Sequence, residues 1–589
     1  MSLPQGASQL AYLTKNATLA VRISVGALGT DPAVFAVQAS RRLPAGPRQL
    51  LGTGLSRTPW VGTQAMGALM TGDKEALALS EQRLRAGQRR ADSISTRLGW
   101  EVLAAANLVD LEHDKNLPPV TLARALWSAG RLTEACTIAN TSGKKRLAKK
   151  LAAEATLLQE TWFPQLNENS PATGAARPGR RPFALHLITN SLPATQSGYT
   201  LRTHRLLTAL AQRGVNLRAE TRTGYPVTVG KLDALPTARV EGITYRRHLP
   251  WKLASYQPQK IEQWVRHLAY SYADNPPALI HTTTHFHNGL VARSLARYWN
   301  IPWVYEVRGI LEETWLSHQP EARRESAAAS ERFALTRARE TQIMQAADHL
   351  ITLSETMKRT LVERGLEPQK ITVVPNSVDE SLFDLDLTPA QARQKLGLSA
   401  EGFWYGSVSS LVPYEGFDTL IRALAVVRQQ GIDARLMLAG DGSDRVRLEA
   451  LTRSLGLEEY TVFLGKVDPH TAYTAHQALD VFTVPRTRDR VCQSVTPLKP
   501  IEAMALNRPL LVSDLAPLTE LVENRVTGPT GLIASAGDPG SFARQLCALA
   551  TDEDLRRGMS QQGRIFARTR TWAQNARTVQ GIYNRLTDS

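Results

Sequence analysis

The sequence predicts an α/β protein in which two parallel-sheet domains face each other across a cleft, preceded by an all-helical N-terminal region. Three observations predict it. Residues 1–170 are rich in Ala, Leu and Arg, with apolar residues at helical spacing, as in Leu122, Leu126, Leu132 and Ala135. From Phe183 onward, short apolar runs alternate with helix-period segments: Phe183–Thr189 then Thr200–Arg213, Leu279–Thr283 then Asn288–Trp299, and Trp303–Val307. Beyond Leu385 the alternation starts again with Phe403–Val408, Phe417–Gln430, Ala434–Ala439, Arg445–Leu455, Val481–Val484, Pro500–Leu506 and Pro509–Ser513. Alternation of this kind builds βαβ units on parallel sheets. Two series make two Rossmann-like domains, 183–385 and 386–570, and leave 571–589 as a closing helix.

Length agrees: 589 residues exceed one core at ~100–200 residues per domain. A hydrophobic share of 43% with 21% charged residues is globular and excludes a disordered chain. The formal charge of +16 fits an anionic partner (nucleotide, nucleic acid or acidic membrane surface) or simply a solvated basic surface. Cys136, Cys492 and Cys547 lie far apart without a CxxC pair, which argues against a zinc site and a disulfide framework and fits a reducing cytoplasm. The N-terminus lacks the basic start and unbroken apolar core of a signal peptide. Its most apolar stretch, Ala17 to Val37, is broken by Arg22, Gly26, Gly29, Asp31 and Pro32, and no segment offers the ~20 apolar residues of a membrane span. A cytoplasmic location, at most peripheral to the inner face of a membrane, is expected.

Within the helical region, Leu126-Trp127-x-x-Gly130 followed by Glu134-Ala135 resembles half of a tetratricopeptide unit, without a second copy at a fixed period; the alternative is an irregular helical domain. Residues 171–182, PATGAARPGRRP, read as a linker. Arg83, Arg85, Arg89 and Arg90 place charge along one side of a helix, to meet anionic lipid or a partner enzyme, or only solvent. These features predict a docking module on a flexible tether, and a fragment from Arg181 that folds alone.

Doubly wound sheets bind ligands at the carboxyl ends of their strands. The first such loop, Thr189–Tyr199, carries Gly198 before a helix. The second domain offers Gly406–Phe417 with Ser410, then Ala439–Ser443 with Gly440, then Pro485–Ala505. The last loop holds Arg486, Arg488, Arg490 and Lys499 ahead of a helix with Pro500 in its first turn. Basic side chains beside free helix-start amides are the chemistry of a diphosphate site. Glu502 in that turn either recognises ligand or only offsets the helix dipole. His285 and His287 flank the end of another strand, where acceptor contact and a structural role both stand open.

From Pro182 onward the chain resembles glycosyltransferase family four, with the GT-B fold. Four motifs in order carry the resemblance: Ala347–Ser354 (ADHLITLS), Val373–Asp379 (VVPNSVD) with Phe383, Ala439–Gly442 (AGDG), and Pro500–Ala505 (PIEAMA) with Pro509. The resemblance implies a retaining, metal-independent transfer of sugar from a nucleotide-sugar donor to a glycan or lipid-linked acceptor in bacterial envelope or polysaccharide assembly, with no cofactor beyond the co-substrate. It implies Glu502 on the donor ribose, backbone from Val495 through Thr496 and Leu498 to Lys499 along the diphosphate and sugar, and Gly198, Ser410 and Gly440 around the donor. His285, His287 and Arg308, the last in place of the family's His-Gly histidine, are the candidate catalytic residues.

The sequence departs from the family in two further places. The first Glu of the family's E-x7-E pair is Ser494, and the family's Arg and Lys of G-R-L-x-x-x-K-G are Ser410 and Glu415. A diphosphate without cations in a dry cleft is strongly disfavoured, so Arg486, Arg488, Arg490 and Lys499 are expected to supply the charge. The departures keep a second reading open, a catalytically silent scaffold binding nucleotide sugar or a partner enzyme. Two D-x-D triplets, Asp384–Asp386 and Asp552–Asp554, read as helix capping or solvated charge rather than metal binding. No nucleic-acid recognition motif accompanies the charge.

Overall fold

The computed structural model describes residues 5–30, 32–40, 43–86, 93–106, 108–114, 117–166, 181–523 and 527–588. Helices alone fill the described residues up to 158, and the first strand begins at Ala184. An eight-stranded sheet follows: β1 Ala184–Ile188, β2 Leu217–Thr221, β3 Thr237–Val240, β4 Ile243–Arg247, β5 Leu279–Thr283, β6 Trp303–Glu306, β7 His349–Thr352 and β8 Ile371–Val373. Its order is β3-β4-β2-β1-β5-β6-β7-β8, parallel except for the β3–β4 hairpin. The second sheet comprises β9 Phe403–Val408, β10 Ala434–Ala439, β11 Thr461–Gly465, β12 Val481–Val484, β13 Leu510–Ser513 and β14 Gly531–Ala534. Its order β11-β10-β9-β12-β13-β14 is all parallel. Every residue of β1, β5, β9 and β12 is buried, because helices cover both faces; β1, β9 and β12 accordingly read as largely apolar runs, while β5 ends in the polar His281-Thr282-Thr283.

The chain passes between the domains twice, and the passages lie side by side. Val378 N donates to the Arg570 carbonyl at 3.0 Å, and Trp572 N donates to the Val378 carbonyl at 3.1 Å. Beyond that clasp the last helix, Trp572–Thr587, returns to the first domain and packs on helix Gly198–Gln212. Trp572, Val579 and Ile582 share a core there with Leu206, Leu210 and Val304. The Tyr583 hydroxyl is hydrogen-bonded to His281 Nδ1 at 2.5 Å and His186 Nε2 at 3.2 Å, both buried on the sheet. Of the two triplets near helix starts, only Asp552–Asp554 supplies a cap itself. Thr388, just past Asp386, forms a capping box with Gln391, and Asp552 accepts from Leu555 N at 2.8 Å.

The helical region corrects the tethered-module expectation. Leu132, Leu157 and Leu158 lie in the same buried cluster as Phe183, Ile261, Trp264 and Leu290 of the first α/β domain. Phe163 sits beneath two guanidinium groups, Arg293 at 3.6 Å and Arg339 at 4.6 Å. At the other end of the region, Asn16 Nδ2 donates to the carbonyls of Leu232 and Ala234 at 2.9 and 2.7 Å. The first helix of the region and its last two are thus packed into the first domain, while the helices between them bury clusters of their own. Of the 171–182 linker, residues through 180 lie outside the described residues, as do Arg89 and Arg90 of the basic stretch. Arg85 of that stretch pairs with Glu81 and Asp114. No helix among the described residues is long and apolar enough to cross a membrane.

Candidate functional site

The loops at the carboxyl ends of the second sheet are held by backbone contacts that only glycine permits. A Cβ at Gly440, where φ is +145°, would lie 1.8 Å from the Ser409 carbonyl oxygen. At Gly416, where φ is +72°, it would lie 2.1 Å from the Pro485 oxygen. The loops after β9, β10 and β12 therefore form one surface, with Ser410 exposed on it.

Each cation of the 486–499 run has a carboxylate partner. Arg486 is buried, donates from Nε and Nη2 to Glu415, the latter at 2.7 Å, and from Nη1 to the Val495 carbonyl at 3.0 Å. Its charge is thus cancelled by the residue that replaces the expected family lysine. This corrects the expectation that Arg486 supplies free positive charge; it anchors the 495–498 loop. Arg488 pairs with Asp514 at 2.6 Å. Arg490 pairs with Glu313 of the first domain at 3.1 Å, and so bridges the cleft. Lys499 Nζ donates to Glu502 Oε2 at 2.9 Å from the start of helix Lys499–Ala505, and both side chains reach solvent. Behind Glu502 lies His476, buried and stacked on Phe482, its Nε2 3.7 Å from the carboxylate. Burial, aided by the Lys499 charge, holds this imidazole well below its ordinary pKa, hence neutral.

Across the cleft the first domain meets this surface. Gly198 faces Leu498, whose Cδ1 lies 3.8 Å from the position of a glycine Cβ, and Gly309 faces both the Tyr199 hydroxyl and Val495. The Thr496 carbonyl accepts from Asn376 Nδ2 at 2.8 Å, while its own buried hydroxyl has no protein partner. The sequence-derived donor residues Gly198, Thr496, Leu498, Lys499 and Glu502 therefore converge at the domain junction.

The three candidate catalytic residues do not form one group. Arg308 is buried, donating to Glu306 Oε2 at 2.6 Å, Thr203 Oγ1 at 2.7 Å and the Tyr199 carbonyl at 3.0 Å. Its charge is spent on holding the Tyr199 turn, so it is a positioning residue. Arg202, which sequence reasoning missed, shares Glu306 and donates to the hinge at the Val374 and Pro375 carbonyls and Asn376 Oδ1. Burial pushes the Glu306 carboxyl up, but Arg308 and Arg202 outweigh it and hold the pKa well below the usual range. A carboxylate ending an apolar strand, Tyr305-Glu306-Val307, was the signal available in the sequence. His285 and His287, ring centroids 4.2 Å apart, instead line a cavity of about 370 Å³ that none of residues 485–502 lines. Trp127 and Glu154 of the helical region form part of its wall. Burial and the nearby Arg332 bring His285 down to about 4; burial and His285 keep His287 well below its ordinary value. Among the described residues there is no group of three or more His, Cys, Asp or Glu placed to hold a metal ion.

The chain's relatives agree with this architecture. Residues 197–377 match the glycosyl transferase 4-like domain, and residues 390–566 match glycosyl transferases group 1. Among curated proteins, the D-inositol 3-phosphate glycosyltransferase of Corynebacterium jeikeium is 25% identical over 431 residues, covering 69% of this chain and 96% of that protein. The protein of the same name from Nocardia farcinica is 26% identical over 422 residues, covering 68% and 88%. Among solved structures, sucrose-phosphate synthase from Thermosynechococcus elongatus superposes with a TM-score of 0.54 at 20% identity, over 69% of this chain and 99% of that one. Anabaena HepE in complex with UDP gives 0.52 at 18%, over 69% and 100%. With two facing parallel-sheet domains, a C-terminal helix that crosses back and two family domains in sequence, the chain belongs to the family-four glycosyltransferases of GT-B fold.

Proposed function

We propose that the protein is a retaining, metal-independent glycosyltransferase that draws its sugar from a nucleotide-sugar donor and passes it to a glycan or lipid-linked acceptor in bacterial envelope or polysaccharide assembly. The observation that carries the donor reading is the solvent-reaching Lys499–Glu502 pair, which begins one residue after Leu498, the side chain that meets Gly198 of the first domain. A carboxylate accepts hydrogen bonds from two ribose hydroxyls, which frees the lysine to meet diphosphate. The relatives' names, an inositol-phosphate glycosyltransferase and a fold neighbour solved with UDP-glucose, are in keeping with such a donor. Transfer on one face needs no protein nucleophile: the departing diphosphate takes the acceptor's proton while cationic side chains, Lys499 first among them, stabilise its growing charge. Ser494 in place of the first Glu is compatible with that chemistry.

The Glu415–Arg486 pair favours the second reading, a silent scaffold, because it removes positive charge from the donor surface. Incubation with UDP-, GDP- and ADP-hexoses separates the two. The enzyme reading expects slow hydrolysis of at least one donor; binding without turnover of any, acceptors included, favours the scaffold.

A further inference from the structure

The cavity that holds His285 and His287 is walled by two parts of the chain. Its first wall is the α/β domain: Trp315 on helix Leu311–Ser317, and Arg332 at the start of helix Glu331–Ala346. The second wall, Trp127 and Glu154, comes from the helical region, and its position is fixed. Gly130, three residues after Trp127, sits so close to the first wall that a Cβ there would meet Ser330 Oγ at 2.3 Å and Trp315 at 3.0 Å. The Gly130 carbonyl accepts from Arg332 N at 3.0 Å, and Glu331 accepts from Thr133 N and Oγ1 at 2.8 and 2.6 Å.

The lining combines flat aromatic faces, Trp127 and Trp315, with imidazoles, a guanidinium and a carboxylate around them, all half-buried. Aromatic faces suit the C–H faces of a pyranose, and the polar groups suit its hydroxyls. Its volume, about 370 Å³, falls within the ~300–1,000 Å³ of small-molecule sites. The location is also relevant. His285 follows Thr284, whose hydroxyl accepts from the Arg308 amide at 2.9 Å on the cleft side of the sheet. Helix Leu311–Ser317 presents Leu311, Thr314 and Trp315 to the cavity and sends Glu313 to Arg490 of the donor loop.

We propose that this cavity is a saccharide subsite, built jointly by the N-terminal helical region and the first α/β domain, that holds a non-reacting sugar ring of the acceptor. Its role in transfer rests on the glycosyltransferase reading above; its affinity for a sugar ring does not. Saturation-transfer NMR on the full chain, without donor, is the test. The probes are the methyl glycosides of glucose, galactose, mannose and N-acetylglucosamine, and maltose. The expected result is binding of at least one probe, weakened about tenfold or more in both Trp127→Ala and Glu154→Gln. Glu154→Gln keeps the side-chain shape, so it decides the matter if Trp127→Ala unfolds the protein, which a thermal melt reads. Absence of binding by every probe, or binding unchanged in Glu154→Gln and in any folded Trp127→Ala, overturns the proposal. Sugar binding in a protein that turns over no donor sinks the enzyme reading and leaves the subsite standing.

Discussion

At position 415 a carboxylate stands where the resembling family carries a lysine, and the structure shows what it does. Glu415 and Arg486 are both buried and ion-paired at 2.7 Å, so each depends on the other. Removing one partner of a buried pair costs about 3–5 kcal/mol, while replacing both by apolar residues can be nearly neutral. Arg486→Met is therefore expected to lower the denaturation midpoint sharply, and Glu415→Met/Arg486→Met to recover most of the loss. Urea unfolding of the singles and the double checks this, and additive losses would contradict it. At Lys499 the expectation is functional. A charged hydrogen bond to phosphate is worth about 1.5–3 kcal/mol, so Lys499→Ala should weaken nucleotide-sugar affinity about 10–100-fold by calorimetry. Arg490, engaged with Glu313 across the cleft, should matter less for affinity. The arginine-rich run was legible in the sequence as a positive loop. Its partners were not, because Asp514, Glu415 and Glu313 lie 26, 71 and 177 positions away and no local pattern encodes such a pairing.

Strands and helices were far more legible than their contacts. An apolar run ending in small hydroxyl residues, Phe403 to Ser410, gave a buried strand and its loop, and the VVPNSVD motif gave the hinge. The expected final helix appears at Trp572–Thr587 and crosses back. What the alternation of strands and helices cannot tell is which face of a helix meets which neighbour. Hence His285 and His287, placed correctly at a strand end, turn out to face the helical region. At this scale Tyr583 is the test of the crossover: its hydroxyl joins the last helix to His281 and His186. Tyr583→Phe should cost about 1 kcal/mol for the lost hydrogen bonds, plus the penalty for leaving imidazoles unpaired. Denaturant unfolding measures it; an unchanged midpoint would mean the crossover is held by Trp572, Val579 and Ile582 alone.

Taken whole, the molecule is one assembly of helical region and GT-B domains. Leu132, Leu157 and Leu158 are buried in the first domain's core, and each such leucine contributes roughly 1.5–3 kcal/mol. Their sum approaches the ~5–15 kcal/mol that holds a typical domain folded. A fragment beginning at Arg181 should therefore express as insoluble or unfolded protein, which size-exclusion chromatography and circular dichroism report; a soluble, cooperatively melting fragment would contradict the shared core. The sequence hid this because an amphipathic helix shows that it buries a face without naming what covers it.

Acid should destabilise the whole fold for a related reason. His186 and His476, both buried, and half-buried His287 have pKa values well below the ordinary one, and His285 is brought to about 4. Unfolded imidazoles titrate near ~6.5, so the unfolded state binds more protons below that pH. Stability is expected to be fully present above it and to fall as pH drops from about 6.5 towards 4. Glu340, which burial raises to about 8, runs the other way, favouring the fold less as pH rises from its ordinary range through 8. Burial raises Glu154, Glu220, Glu312 and Asp379 in the same sense, but among the described residues seven imidazoles are lowered against these five carboxyls, so the net slope at acid pH follows the histidines. Urea midpoints at pH 4.5, 5.5 and 6.5 should rise in that order.

Sugar transfer with retention and without metal leaves its mark in the stereochemistry of the product. Proton NMR should follow the full chain with α-linked UDP-, GDP- and ADP-hexoses, each with sugar acceptors and chelator present. One donor should be consumed, and the new anomeric proton should first appear in the α configuration, with the rate unchanged by chelator. A β product, a rate abolished by chelator, or no consumption of any donor would contradict retaining, metal-independent transfer.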